Sequence, residues 1–254
     1  MTEVPLKKYV IIVAGGSGTR MNSVIPKQFL KLDGKPVLMH TISRFSEANS
    51  NIEIILVLSS NHLAAWQQLC NEQQFNIPVQ IAESGETRFQ SVKNGLALIK
   101  EPGIVAIHDA ARPLVDSKII TTAFKAAEMY GTAVPAIPLT DSIRQIDSTL
   151  SIAVDRRKYC IIQTPQCFKT ELIKKAYEQE YKFTFTDDAT VVEFTGEKIR
   201  LIDGHSDNIK ITNPRDLIIA EALLKNKPAT TPHNKLKLPD DLNILNKQES
   251  KTPY

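Results

Sequence analysis

The sequence predicts an α/β protein built on a doubly wound, mostly parallel sheet with helices on both faces. Short apolar runs rich in valine and isoleucine, which are typical of buried parallel strands, alternate along the chain with longer stretches of helical spacing. The 254 residues are enough for one large domain, and the hydrophobic fraction of 42% is enough for a sizeable core.

The predicted elements follow one another from the first strand onward. Apolar runs predict strands at residues 9–14, 52–58, 78–82, 104–107, 133–137 and 198–202. Helical spacing predicts helices near residues 36–48, 61–73, 87–100, 117–130 and 214–225. Ligands of such sheets bind beyond the carboxyl ends of the strands. The loops that follow Ala14 and Ile107 leave strands at that edge, so both are candidates for the ligand site.

Two regions depart from this alternation. In residues 139–162, charged and β-branched residues alternate, and this pattern predicts an extended hairpin that projects from the core as an arm. Residues 226–254 are rich in lysine, asparagine and proline, so we expect a poorly ordered tail without a catalytic role. The folded domain is therefore predicted to span residues 1–225.

Composition excludes several classes of function. The net charge of +3 is too small for a nucleic-acid-binding surface, and no apolar run approaches the length of a membrane span. The N-terminal residues lack the apolar core of a signal peptide. The three cysteines are odd in number and lack metal-ligand spacing, so reduced thiols and a reducing, cytoplasmic compartment are expected. Small anions are the expected ligands, with neither nucleic acid nor membrane as a partner.

The first strand runs directly into a glycine-rich loop with the sequence AGGSGTR. Gly15, Gly16 and Gly18 let backbone N–H groups approach phosphate oxygens, and Arg20 and Lys27 bring two cations to the same place. The spacing fits neither the Walker A loop nor the dinucleotide-binding fingerprint. A simple glycine-rich turn is the alternative, but such a turn requires neither cation. The loop therefore predicts a cradle for a triphosphate.

Six motifs that occur in order along the chain carry a family resemblance. They are AGGSGTRM followed by PKQFL in the first loop, HDAARP at 108–113, VDR at 154–156, QTPQ at 163–166, TDDA at 186–189 and DNIKIT at 207–212. Together they resemble the 2-C-methyl-D-erythritol 4-phosphate cytidylyltransferase family, from residue 9 to about residue 225. Members of this family carry out the cytidylyl-transfer step of the non-mevalonate isoprenoid pathway. The resemblance implies a Rossmann-like nucleotidyltransferase fold.

The resemblance also implies a reaction, transfer of a cytidylyl group from CTP to a polyol phosphate with Mg²⁺ as cofactor. An acceptor phosphate is already ionised near neutral pH, so the reaction needs charge neutralisation and alignment rather than a strong base. The residues implied to act in catalysis are Arg20, Lys27, Arg156 and Lys210. Those implied to bind CTP are Ala14, Gly15, Gly16, Gly18, Gly85, Ser91, Asp109 and Ala110. Those implied to bind the acceptor are Asp109, Arg112, Arg156, Thr164, Thr186 and Asp207. The candidate metal ligands are Asp109, which ends a buried strand at the ligand edge, and Asp207.

Several of these residues also have an ordinary structural interpretation. Asp109 and Arg112 could form a helix cap with a surface ion pair. Lys210 could be a solvated residue of a strand. Residues 187–188 could simply begin a helix with Thr186 as its N-cap.

Two other functions remain open. A ribitol-5-phosphate cytidylyltransferase would share the glycine-rich loop and the acidic motif, although VDR and TDDA favour methylerythritol phosphate as acceptor. A nucleotide-sugar-binding protein without transferase activity would not need Arg20, Lys27 and Lys210 together. The resemblance further implies a homodimer, in which the 139–162 arm crosses to the partner subunit and carries Arg156 to its active site.

Overall fold

A mostly parallel sheet forms the centre of the molecule, as the alternation of strands and helices predicts. The computed structural model describes residues 6–16 and 26–226. The candidate residues Gly18 and Arg20, and the predicted tail beyond residue 226, lie outside this part of the chain. Within it, no helix combines the length and the apolar character needed to cross a membrane.

Every predicted strand and helix is present, with small shifts at the ends. The strands are β1 (Lys7–Val13), β2 (Lys31–Leu32), β3 (Lys35–Pro36), β4 (Ile52–Leu58), β5 (Gln80–Glu83), β6 (Gly103–Asp109), β7 (Thr132–Pro138), β8 (Arg144–Asp147), β9 (Leu150–Ala153), β10 (Cys160–Ile162), β11 (Gln166–Lys169) and β12 (Leu201–Asp203). The α-helices are α1 (Val37–Ala48), α2 (Leu63–Glu72), α3 (Arg88–Leu98), α4 (Ser117–Tyr130), α5 (Thr170–Ala176), α6 (Asp188–Glu193) and α7 (Pro214–Lys225). Short 3₁₀ turns occur at Lys27–Phe29, Ser60–His62 and Arg156–Lys158.

The main sheet has eight strands in the order β10-β7-β11-β6-β1-β4-β5, with β12 added to β7. Strand β1 pairs in parallel with β4 and β6, β4 pairs in parallel with β5, and β12 pairs in parallel with β7. Strands β10 and β11 run antiparallel to their neighbours. Val13 of β1 lies opposite both Val57 and Asp109, so the glycine-rich loop begins beside the end of β6.

Side chains of β1 alternate between two apolar layers, because successive residues of a strand face opposite sides of the sheet. Val10 and Ile12 pack in one layer with residues of α1, α2 and α4. Tyr9 and Ile11 pack in the other layer with residues of α3, α5 and α6. The sheet therefore has helices on both faces, as predicted. Burial from both sides is the reason why these strands are continuous apolar runs in the sequence.

Helix α4 shows how local sequence sets the ends of an element. The carboxylate of Asp116 accepts a hydrogen bond from the Ile119 N–H at 2.8 Å and caps the first turn. The helix ends at Gly131, which has a φ of 87° that a side chain would disfavour. The chain can then turn directly into β7.

The arm has other boundaries than the sequence pattern predicts. Strands β8 and β9 form a two-stranded hairpin of their own. Cys160–Ile162, which we expected in the arm, instead pair with the end of β7 in the main sheet, because the chain returns antiparallel to the strand that it left. Ile146, Leu150 and Ile152 of the hairpin are exposed by 61% to 80%. The arm thus carries an apolar surface that the described part of the chain does not cover.

Helix α6 begins one residue later than expected, and its cap differs. Asp187 is the N-cap, and its carboxylate accepts a hydrogen bond from the Thr190 N–H at 2.9 Å. The expectation that Thr186 caps this helix is wrong, since aspartate is the stronger capping residue of the two.

The core can be tested on helix α4. Replacing Phe124, which is 2% exposed, by alanine should lower the free energy of unfolding by about 3–5 kcal/mol, because buried aromatic surface is lost and a cavity remains. Met129 of the same helix is 58% exposed. Replacing it by alanine should change the free energy of unfolding by less than about 0.5 kcal/mol. Denaturant unfolding followed by circular dichroism measures both values. Equal losses would show that the buried face of α4 is assigned wrongly.

Candidate active site

A cavity lies at the carboxyl edge of the sheet, where β1 and β6 end. The Ala14 N–H donates to the Val57 carbonyl at 2.9 Å, and the Ala110 N–H donates to the Val13 carbonyl at 3.2 Å, so both loops leave the sheet from fixed positions. The cavity has a volume of about 400 Å³, within the usual range of ligand sites. The predicted site residues that line it are Ala14, Gly15, Gly16, Lys27, Gly85, Ser91, Asp109, Ala110 and Lys210.

A single carboxylate, that of Asp109, is surrounded by three cations. Its Oδ2 lies 2.9 Å from Lys210 Nζ and 3.6 Å from Arg112 Nε, and its Oδ1 lies 3.7 Å from Arg88 Nε. Burial by itself would raise the pKa of Asp109, but Arg88, Lys210 and Arg112 hold that pKa well below its usual range. Asp109 is therefore charged at neutral pH, with an excess of positive charge around it. The helix-cap interpretation of Asp109 is wrong, since Asp116 caps α4.

Arg88 is the charged residue beside Asp109 that the sequence interpretation missed. It occupies the first turn of α3, where a cation opposes the helix dipole. Its guanidinium donates two hydrogen bonds, of 2.9 and 2.6 Å, to the fully buried carboxylate of Asp188. The Tyr177 hydroxyl donates to the same carboxylate at 2.6 Å. The unfavourable helix position was the available signal, but it does not reveal a partner 100 residues away.

Thr164 lies beneath Asp109 rather than in the lining of the cavity. Its Oγ1 accepts a hydrogen bond from the Asp109 N–H at 3.2 Å and donates one to His108 Nδ1 at 3.0 Å. The other ring nitrogen of His108 carries the proton, because it donates to the Arg112 carbonyl at 3.1 Å. Burial lowers the pKa of His108 to about 4, so the ring is neutral at neutral pH. The Thr164 hydroxyl is thus engaged within the protein, where it fixes the backbone at Asp109.

The opposite wall of the cavity is the loop that leads into α3. The Gly85 N–H donates to Ser91 Oγ at 3.0 Å, which ties this loop to the helix. A Cβ at Gly15 would lie only 2.5 Å from the Cβ of Ser84. At Gly15 the glycine-rich loop therefore approaches this wall too closely for a side chain.

Besides Thr164, four further acceptor-site candidates do not line the cavity, namely Arg112, Arg156, Thr186 and Asp207. Arg112 reaches Asp109 through its Nε. Arg156 is exposed where the arm returns to the sheet, and its guanidinium donates to the Thr140 carbonyl. Thr186 is exposed in the turn before α6. Within a single chain, Arg156 and Thr186 therefore do not lie at the cavity.

The donor set is sparse for a preformed metal site. Among residues 6–16 and 26–226, no cluster of three or more His, Cys, Asp or Glu side chains could hold a metal ion. Asp109 and Glu86 are the described carboxylate residues that line the cavity, whereas Asp207 does not line it. Protein-bound Mg²⁺ is commonly held by one or two carboxylates together with substrate phosphates. The residues present therefore fit a Mg²⁺ ion that arrives with a triphosphate.

The pair of Arg88 and Asp188 can be tested through stability. Asp188→Asn should lower the free energy of unfolding by about 3–5 kcal/mol, because the partly buried Arg88 guanidinium would lose the carboxylate that accepts two of its hydrogen bonds and would keep only Asp109, at 3.7 Å, as counter-charge. Glu221→Gln, which breaks an exposed pair with Lys225 on α7, is the control and should change little. Urea denaturation measures both. If Asp188→Asn unfolds at the same urea concentration as the unaltered chain, this pair does not hold the wall of the cavity.

Over most of its length the chain is similar to enzymes of one family. The family model described as 2-C-methyl-D-erythritol 4-phosphate cytidylyltransferase, IspD, matches residues 8–226. The enzyme of that name from Bacteroides thetaiotaomicron is 47% identical over 219 residues, which are 86% of this chain and 100% of the relative. The one from Azobacteroides pseudotrichonymphae is 49% identical over 221 residues, which are 86% of this chain and 99% of the relative.

Solved structures of such enzymes share the fold. The 4-diphosphocytidyl-2C-methyl-D-erythritol synthase from Anaerococcus prevotii matches with a TM-score of 0.73 at 28% sequence identity, over 86% of this chain and 96% of the other. The 2-C-methyl-D-erythritol 4-phosphate cytidylyltransferase from Thermus thermophilus matches with a TM-score of 0.69 at 28% identity, over 87% of this chain and 100% of the other. The expected nucleotidyltransferase-type α/β fold is thus confirmed. The chain belongs to the 2-C-methyl-D-erythritol 4-phosphate cytidylyltransferase family.

Proposed function

We propose that the chain transfers the cytidylyl group of CTP to 2-C-methyl-D-erythritol 4-phosphate, giving 4-diphosphocytidyl-2-C-methyl-D-erythritol and pyrophosphate. The observation that carries this proposal is the cluster of cations around Asp109, at the sheet edge where the glycine-rich loop begins. Relatives that are 47% and 49% identical bear the name of this activity.

In this reaction an oxygen of the acceptor phosphate attacks the α-phosphorus of CTP. The bond from that phosphorus to the bridging oxygen breaks, and its electron pair leaves with pyrophosphate. Stabilisation of negative charge is therefore the main catalytic requirement. Lys27 and Lys210 line the cavity and supply positive charge, and we assign the same role to Arg20. Asp109 holds Lys210 in place beforehand, which reduces the reorganisation that the transition state requires.

We assign CTP to the side of the cavity formed by the glycine-rich loop and the loop before α3. Backbone N–H groups of the glycine-rich loop would bind the triphosphate. The amino group of cytosine needs an acceptor where uracil carries a carbonyl, and the two facing loops offer backbone carbonyls and a serine hydroxyl. The residues assigned to CTP are Ala14, Gly15, Gly16, Gly18, Gly85, Ser91, Asp109 and Ala110.

Mg²⁺ is the proposed cofactor, held by Asp109 and by phosphate oxygens. When bound, it supplies Lewis-acid stabilisation of phosphate charge. Lys210 and the two neighbouring arginines keep the Asp109 carboxylate ionised and so able to coordinate a cation. Asp207 remains a second candidate ligand, although it does not line the cavity.

The arm is proposed to complete the acceptor site of a partner subunit. Its exposed apolar side chains need a surface to cover them, and a two-stranded hairpin alone is marginally stable in water. A twofold partner would offer the same arm in return. Arg156 would then clamp the acceptor phosphate in the other subunit. The residues assigned to the acceptor site are Asp109, Arg112, Arg156, Thr164, Thr186 and Asp207.

The compartment proposed for the protein is the cytoplasm. Cys70, Cys160 and Cys167 are free thiols in the structure. Free thiols persist in reducing compartments, whereas paired cysteines are typical of oxidising ones.

Turnover with defined substrates tests the function. With CTP, Mg²⁺ and 2-C-methyl-D-erythritol 4-phosphate, the chain should release pyrophosphate and form the cytidylyl product. UTP, ATP and GTP should react much more slowly, because the wrong base leaves buried hydrogen-bonding groups unpaired. Ribitol 5-phosphate offered in competition should yield little product. Pyrophosphate release and mass spectrometry of the products measure these outcomes.

Other results of this assay have definite meanings. A competition that yields mainly CDP-ribitol would make the chain a ribitol-5-phosphate cytidylyltransferase. Binding of CTP without pyrophosphate release from either acceptor would favour the nucleotide-sugar-binding protein. Full activity in excess EDTA would remove Mg²⁺ from the proposal.

The shared site predicts complementation between two inactive variants. Lys27→Ala and Arg156→Ala homodimers should each lose on the order of 100-fold in kcat. A mixed dimer should regain one complete site, built from Lys27 of one chain and Arg156 of the other. Arg157→Ala is the matched control, since Arg157 pairs with its neighbour Asp155, and it should retain the activity of the unaltered chain. Rates of refolded mixtures, compared with each variant alone, measure the recovery.

Two results would contradict the shared site. If mixtures that contain heterodimers show no recovery, Arg156 acts within its own subunit or not at all. If the unaltered chain sediments as a monomer at assay concentration, the arm has no partner to reach.

A further inference from the structure

The segment that carries Asp207 and Lys210 has no regular secondary structure. It follows β12 and runs from residue 204 to residue 212. His205 and Asn208 within it are nonetheless buried, and buried backbone N–H and C=O groups need hydrogen-bond partners. The position of Lys210 beside Asp109 therefore depends on the groups that bind this segment.

Gln163 supplies the first of these groups. Its side chain is buried directly after β10, and its amide binds both backbone groups of His205. The Gln163 Nε2 donates to the His205 carbonyl at 2.8 Å, and the His205 N–H donates to Gln163 Oε1 at 3.2 Å. The amide thus provides the two hydrogen bonds that a neighbouring strand would provide in a sheet. Gly204 fits closely against it, since a Cβ there would lie 2.5 Å from Gln163 Oε1.

Asn208 supplies the second group. Its Nδ2 donates to the Thr164 carbonyl at 2.8 Å, which ties the segment to the residue next to Gln163. Its own backbone carbonyl accepts a hydrogen bond from Arg112 Nη1 at 2.7 Å. The segment is therefore fixed on both sides of Asp207, just before the chain reaches Lys210.

The same short stretch of chain holds both members of the catalytic ion pair. Gln163 and the Thr164 carbonyl hold the segment of Lys210. The Thr164 hydroxyl accepts from the Asp109 N–H at 3.2 Å and so holds the carboxylate side. Lys210 Nζ and Asp109 Oδ2, which are 2.9 Å apart, are thus both positioned by the short connection between β10 and β11.

We propose that Gln163 and Asn208 are positioning residues for cytidylyl transfer, which place Lys210 against Asp109 and hence against the transferring phosphate. The proposal rests on the proposed function, in which Lys210 stabilises the charge of the reaction. Both amides act through the segment that they bind. A displacement of a reacting group by about 1 Å can cost on the order of 100-fold in rate, so loss of either amide should be visible in kcat.

Gln163→Leu tests the first amide, because leucine fills much of the same space and makes neither hydrogen bond. We expect kcat to fall on the order of 100-fold, with a much smaller change in the KM for CTP, since the glycine-rich loop is untouched. Gln166→Leu is the matched control. Gln166 is also buried, but it binds the Asp187 carboxylate and the Ala189 N–H, each at 2.8 Å, at the start of α6. Circular dichroism melts of Gln163→Leu and Gln166→Leu compare how much stability each variant loses.

A double-mutant cycle with Lys210→Ala separates positioning from general destabilisation. If Gln163 acts through Lys210, the double variant Gln163→Leu/Lys210→Ala should have the kcat of Lys210→Ala within about threefold. The losses from Gln166→Leu and Lys210→Ala should instead multiply, because independent sites are additive in free energy. If the falls in kcat from Gln163→Leu and Lys210→Ala also multiply, the proposal is overturned.

Hydrogen–deuterium exchange gives a readout that does not depend on turnover. Gln163→Leu should speed exchange in residues 205–211 while β1 and β6 stay protected, and unchanged exchange in that segment would also overturn the proposal. If Gln163→Leu does not fold, Asn208→Asp takes its place in the cycle, because a carboxylate cannot donate to the Thr164 carbonyl. If the unaltered chain forms no cytidylyl product, the proposed function fails and the positioning role fails with it. If the unaltered chain is active but the falls in kcat from Gln163→Leu and Lys210→Ala multiply, only the positioning role is removed.

Discussion

The charge of one buried carboxylate organises the site of this protein. Asp109 ends β6 beside the start of the glycine-rich loop, and it gathers Lys210, Arg112 and Arg88 from three separate parts of the chain. Cations that are partly removed from water are costly without a counter-charge, so the ionised Asp109 helps to hold these side chains, together with Asp188 at Arg88 and the Asn208 carbonyl at Arg112. Charges act more strongly on one another around a group that is largely removed from water, as the Asp109 carboxylate is. The cluster that stabilises this edge of the sheet is therefore also suited to receive phosphates, without a large rearrangement of its cations.

The surroundings of Asp109 are held by buried polar groups rather than by apolar packing alone. Thr164 fixes the backbone of Asp109, Asp188 holds Arg88, and Gln163 binds the segment that leads to Lys210. Such groups are favourable inside a protein only when each has its partner, because an unsatisfied polar group in a low dielectric is costly. Stability and chemistry are consequently difficult to separate at this edge of the sheet, where Ala14 and Ala110 of one apolar layer also line the cavity.

The arm differs from the rest of the fold in how its apolar side chains are covered. The main sheet is covered by helices on both faces, but the hairpin of β8 and β9 leaves large apolar side chains exposed. Burial of that surface against another copy of the chain would release it from water at little conformational cost, since the hairpin is already formed. The described cavity lacks Arg156, which lies where the arm returns to the sheet. A dimer built on the arm would account for both the exposed apolar surface and the distant arginine.

The sequence alone determined those features that depend on local pattern. Buried parallel strands must be apolar on both faces, so they are visible as continuous apolar runs, and the helices between them are visible through their spacing. The glycine-rich loop and the position of Asp109 at a strand end were enough to locate the candidate site at the carboxyl edge. The tertiary structure alone decided which side chains meet there. It paired Arg88 with Asp188, set the Thr164 hydroxyl beneath Asp109, and returned Cys160–Ile162 from the arm to the sheet. These contacts join residues that strand order and helix packing bring together across the fold, and a local pattern in the chain cannot encode a partner that lies so far away along it.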